Sequence, residues 1–100
     1  MAIANQCNYT HLNANGTTVL GGASTSPGQG WLLHTVTINT KGASSNTLTI
    51  TDKGNGNVIA VIDTTAGVQT LTFDAMMAGG SGIQCVLATG TAADVTVSWL

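Results

Sequence analysis

Trp31-Leu-Leu-His-Thr-Val-Thr-Ile-Asn-Thr40 is the stretch on which the fold turns. Leu32, His34, Val36 and Ile38 occupy alternate positions, with Leu33, Thr35, Thr37 and Asn39 between them. Side chains of a β-strand alternate between faces, so the stretch predicts one buried face, led by Leu32, and one hydrated threonine face. Thr47-Leu-Thr-Ile-Thr-Asp52 repeats the pattern, with Leu48 and Ile50 inward. Val58-Ile-Ala-Val-Ile62 is apolar on both faces. That fits either an interior strand or a strand whose outer face meets a partner.

Between the last two runs stands Asn55-Gly56, a strong hairpin signal because both residues tolerate positive φ. Thr47–Asp52 is therefore expected to pair antiparallel with Asn57–Asp63. Further strands are predicted at 68–74, with Leu71 and Phe73 inward, at 82–89, with Ile83, Cys85 and Leu87 inward, and at 93–100, with Val95, Val97 and Trp99 inward. Two shorter ones, 5–12 and 17–20, are joined by a turn at Asn15-Gly16. No window of ten or more residues carries the i, i+3, i+4, i+7 apolar spacing of a helix. The connections 21–30 (with Pro27), 42–46 and 75–82 are rich in Gly and Ser, and the first is expected to be mobile. About eight short strands in 100 residues predict one all-β domain over residues 1–100. The expected architecture is a two-sheet antiparallel sandwich, jelly-roll or immunoglobulin-like, with the strand order left open.

The composition narrows what such a domain does. Charged residues make up 6% of the chain, against roughly 25% in an ordinary soluble domain. Arg and Glu do not occur, and the charged set is Lys41, Lys53, Asp52, Asp63, Asp74 and Asp94. Catalytic sites and anion pockets are built from concentrated charge, so the expectation is a protein that is not an enzyme and carries no cofactor. Two lysines and a net charge of −2 argue against nucleic acid, whose phosphates call for several basic contacts. No apolar run approaches the roughly 20 residues of a membrane-spanning helix. Met1-Ala-Ile-Ala-Asn-Gln6 has neither the basic start nor the apolar centre of a signal peptide, which predicts folding in a cytoplasm.

Individual residues are weighed against simpler roles. His34 alternates with apolar residues and reads as a satisfied, partly buried histidine rather than a base; His11 has no nucleophile motif near it. The four aspartates stand near strand ends, where such residues bond nearby backbone. The run Asp52-Lys-Gly-Asn-Gly-Asn57 has glycine at its third and fifth positions and so fails the calcium-loop pattern. Cys7 and Cys85 form either a disulfide closing most of the chain or two small buried hydrophobes. Phe73 and Trp99 are assigned to the core. Trp31 departs from its strand's inward pattern, and Met76-Met77 form either a lid over one end of the sandwich or an adaptable contact surface. With few edge charges to block strand pairing, the chain is expected to associate with itself. Trp31, Ile59, Val61, Met76, Met77 and Trp99 are the interface candidates.

Three segments carry a resemblance: Val36-Thr-Ile-Asn-Thr-Lys-Gly-Ala-Ser-Ser-Asn-Thr-Leu-Thr-Ile50, Val58-Ile-Ala-Val-Ile-Asp-Thr-Thr65 and Ala88-Thr-Gly-Thr-Ala-Ala-Asp-Val-Thr-Val97. In texture and phrasing they resemble small β-sandwich virion proteins of tailed bacteriophages, over roughly the C-terminal two-thirds of the chain. The resemblance implies a structural role in the virion, with no functional residues to transfer. It points to a capsid decoration protein bound to the major capsid protein, a trimer by analogy with decoration at three-fold positions. A tail, neck or head-fibre component is the alternative within the same class. A small glycan-binding module using Trp31 or Tyr9 is the alternative outside it. Residues 1–30 lie outside the resemblance and are the candidate attachment segment.

Overall fold

The structure is a computed structural model that describes residues 8–21 and 31–100. Cys7 and the connection 22–30, and with them most of the candidate attachment segment, lie outside the described residues. Among the described residues there are eight strands: β1 (Asn8–Leu12), β2 (Gly16–Leu20), β3 (Leu32–Thr40), β4 (Thr47–Asp52), β5 (Val58–Asp63), β6 (Gln69–Met76), β7 (Ile83–Ala88) and β8 (Asp94–Trp99). A single 3-10 turn, Thr64–Ala66, links β5 to β6. The predicted hairpin is formed, with Thr49 opposite Val61 and Ile50 opposite Ala60. Its turn uses positive φ at Gly56 alone (78°), while the amides of both Asn55 and Gly56 reach the Asp52 carbonyl.

The strands form two antiparallel four-stranded sheets, ordered β1-β8-β3-β6 and β2-β7-β4-β5. Strands β1 and β2 fall in opposite sheets, whereas an immunoglobulin-like domain places its first two strands together. The interleaved order is that of a jelly roll. The three-residue link 13–15 joins edge strands β1 and β2 on one side of the sandwich, and the 3-10 turn joins edge strands β5 and β6 on the other.

The inner faces fill the space between the sheets. Leu12, Leu33, Val36, Ile38, Val95 and Val97 come from the first sheet, and Leu20, Leu48, Ile50, Ile62, Ile83, Cys85 and Leu87 from the second. Each large side chain buried this way contributes about 1.5–3 kcal/mol. The strand-by-strand alternation holds in β4, β7 and β8 and fails in β3. There Leu33, and not Leu32, is fully buried with Val36 and Ile38. A β-bulge at His34 is the reason: the register to β6 and β8 shifts between Leu33 and Thr35, and an extra residue swaps the faces on one side of it.

A polar clasp closes each end of the sandwich. Asn46, fully buried in the β3–β4 link, touches every other link at its end. Its Nδ2 donates to Asn15 Oδ1 (2.9 Å), to the Thr89 carbonyl (2.8 Å) and to the Ala88 carbonyl (3.2 Å). Its Oδ1 accepts from Thr64 Oγ1 (2.6 Å) and the Ala93 amide (3.2 Å). At the opposite end Asp52, 2% exposed, accepts from the amides of Gly54 (3.1 Å), Ala78 (2.8 Å) and Gly79 (3.0 Å). That ties the β4–β5 turn to the β6–β7 link. The two segments meet so closely that a Cβ on Gly54 would lie 2.5 Å from the Gly79 Cα.

Candidate functional surfaces

Strand register places two distinct outer faces on the sandwich. On the first sheet, Tyr9, Ser98, Thr35 and Thr72 make one row, and His11, Thr96, Thr37 and Thr70 the next. This is the hydrated threonine face anticipated for β3, continued across all four strands. Its hydroxyls bond one another, as in Thr37 to Thr70 (3.1 Å), and Asn39 Nδ2 donates to Thr96 Oγ1 (3.0 Å).

Both histidines pair with carboxylates at this sheet. His11 Nε2 bonds Asp94 and ties edge strand β1 to β8; His34 Nδ1 bonds Asp74 and ties edge strand β6 to β3. Asp74 stands in the bulge with φ of 48°. The hydrogen bond from His11, aided by one from Asn39, holds the Asp94 carboxyl below the usual carboxylate range. Asp63 is likewise lowered, by the hydroxyl and amide of Thr65. Asp52 and Asp63 therefore bond nearby backbone as expected, whereas Asp74 and Asp94 take side-chain partners from neighbouring strands. His34 is satisfied, as expected, but half-exposed on a bulge rather than in phase with the core. Among the described residues no group of three or more His, Cys, Asp or Glu converges on a point where a metal could sit.

The second sheet differs. Its two complete outer rows are Thr17, Val86, Thr49, Val61 and Val19, Gln84, Thr51, Val58. Neither row contains an ionisable side chain. Strand β5 is the edge of this sheet, so the interior position considered for Val58–Ile62 is corrected. Its outer face is exposed, with Val58 and Val61 60% and 65% accessible.

The interface candidates separate into three groups. Trp31 and Trp99 are half-buried and pack edge to face at 5.7 Å, and Trp99 Nε1 donates to Thr10 Oγ1 (3.1 Å). The pair covers the core at the end where the Trp31 carbonyl accepts from the Met77 amide (2.7 Å). Met77 is buried and takes the lid role, while its neighbour Met76 faces solvent. Val61 is exposed, whereas a bulge in β5 turns Ile59 toward the core. Val58 and Val68 share the exposed side but were missed; Val58 belongs to the same two-faced apolar run, and its outward direction depends on that bulge. Cys85 is buried with a free thiol, and desolvation pushes its pKa up to about 12, which makes it inert.

The chain matches no family model, no curated protein and no solved structure.

Proposed function

We propose that the protein is a structural component of a tailed-bacteriophage virion, a capsid decoration protein that stabilises the head by binding the major capsid protein. The observation that carries this reading is the pair of complete outer rows of the second sheet, which hold no ionisable side chain and include the exposed Val58 and Val61. Burying an unpaired ion at a protein joint is costly, and these two rows have none to bury; Asp63, in the partial row beside them, already bonds Thr65. Repeated over a closed shell, such contacts add through multivalency even where each is weak. Self-association of the chain belongs to the same reading. Jelly rolls serve viral capsid domains and lectins alike, which supports the class by analogy of fold alone.

Antibody labelling of purified virions tests the placement. Label distributed over the capsid is the expected result. Label confined to the tail or neck would reassign the chain to a tail, neck or head-fibre role, and unlabelled virions would overturn the virion reading altogether.

One observation favours a second reading, a glycan-binding module: Tyr9 is 74% exposed in a row of hydroxyl side chains. An exposed phenol ring can stack on a sugar while its neighbours bond the sugar hydroxyls. Binding on a glycan array that disappears in Tyr9→Ala would support it. Trp31, half-buried against Trp99, is a poorer platform.

A further inference from the structure

We infer that the side of the sandwich bounded by β5 and β6 is a self-association surface, in which β5 of one copy pairs antiparallel with β5 of a second copy about a two-fold axis. The inference rests on the proposed self-association but not on placement in a virion.

The apolar exposure of the molecule is concentrated on that side. Of the seven large hydrophobic side chains exposed among the described residues, Val58, Val61, Val68 and Met76 lie on β5, β6 or the link between them. These four are between 60% and 71% accessible. Beside them runs an open row of backbone groups, because β5 has a neighbour only in β4. A β-strand is the natural occupant of such a row, and monomeric proteins guard their edges with charges, proline or bulges.

The four edges are guarded unequally. Strand β1 carries His11 with its Asp94 partner, and β6 carries the Asp74 bulge with His34. Strand β2 is five residues long and begins at Gly16. Strand β5 has its bulge near the start, at Ile59, which leaves Ala60–Asp63 regular. It has no lysine or proline, and its one aspartate, Asp63, bonds Thr65 in the following turn.

A second copy of the same strand fits this edge. With Val61 facing Val61 across the two-fold axis, Ala60 falls opposite Ile62, and both of those side chains face inward. Side chains directly opposite in an antiparallel pair share a face, so the register keeps the cores aligned and stacks two exposed valines outside. The contact is isologous and closes on itself. It gives a dimer with one continuous eight-stranded sheet, in place of the trimer that the resemblance implies.

Light scattering on the full chain, over a range of concentrations, reads the mass directly. The expected particle has twice the 10.0 kDa of one chain. Val61→Lys is expected to reduce it to a single chain, while Thr37→Lys on the opposite sheet leaves it dimeric, with circular dichroism confirming the fold of both. Cysteine capture gives a readout independent of mass. In a Cys7→Ala background, Val61→Cys is expected to form an intermolecular disulfide on mild oxidation, since facing Cα atoms at about 4.5–5.5 Å lie within disulfide reach. Val19→Cys is not expected to do so. A native monomer, a trimer, a dimer that Val61→Lys leaves intact, or failure of Val61→Cys to cross-link would overturn the inference. A monomer in solution together with capsid labelling would sink this dimer and leave the proposed function standing.

Discussion

Asn46 is one amide among many in the loops of this chain, yet its side chain bonds all three other links at its end of the sandwich. Replacing it with alanine removes the side-chain partner of the Ala93 amide and of the Ala88 and Thr89 carbonyls in a buried site, while the Thr64 hydroxyl keeps only its bond to the Asn46 main-chain carbonyl (3.0 Å). Each buried polar group left without a partner costs about 1–3 kcal/mol. Urea unfolding of Asn46→Ala is expected to show a loss of at least about 3 kcal/mol; a loss below about 1 kcal/mol would mean the clasp is dispensable. Asp94 makes a different residue-scale prediction. Its folded pKa lies below the unfolded value because of His11 and then Asn39. Its stabilising contribution is therefore fully present above the unfolded carboxylate pKa, about 3.9, and is lost as pH falls through the lowered folded value. Thermal melts of the native chain should lose stability across that acid window, and Asp94→Asn should flatten this limb while leaving the neutral-to-alkaline side unchanged in shape. An identical acid limb in both would contradict the pairing.

At the scale of the element, what the sequence reveals is the period and what it hides is the interruption. Strands β3, β4, β6 and β8 were legible because Thr or Ser alternates with apolar residues through much of them, β5 and β7 as apolar-rich runs of strand length, and the β4–β5 hairpin because Asn55-Gly56 separates its two strands. A bulge leaves no mark in that pattern. The run Trp31–Thr40 alternates without a visible break, so its reading placed Leu32 inside, and the bulge at His34 places Leu33 there. The same blindness selected Ile59 as an interface residue and passed over Val58. Core truncation distinguishes the two phases of β3. Leu33→Ala is expected to cost about 2–5 kcal/mol, and Leu32→Ala clearly less, measured by urea denaturation. The reverse order would restore the uninterrupted alternation. The end clasps were illegible for another reason: Asn46 and Asp52 are short polar residues beside turns, like a dozen others, and only the long-range arrangement of links shows which ones are buried.

For the whole molecule, strand order was out of reach of local pattern because each sheet alternates sequence-distant partners, such as β1 with β8 and β2 with β7. The jelly roll then sorts the side chains by face in a way composition cannot. The sparse ionisable groups collect on the first sheet and toward the ends, while the second sheet's two complete outer rows hold Thr, Val and Gln alone, with Asp63 in the partial row beside them. In the proposed function this surface, with no ionisable side chain in its two complete rows, seats the protein on a phage shell. Add-back of the purified chain to shells that have been stripped of it measures that claim most directly, by co-sedimentation across a salt series. Binding that persists up to about 1 M salt, where charges are screened beyond ~3 Å, is the predicted result. Binding lost over the same series would show an electrostatic attachment, and no binding at any salt would show that the shell is not its partner; either result overturns the proposed seating.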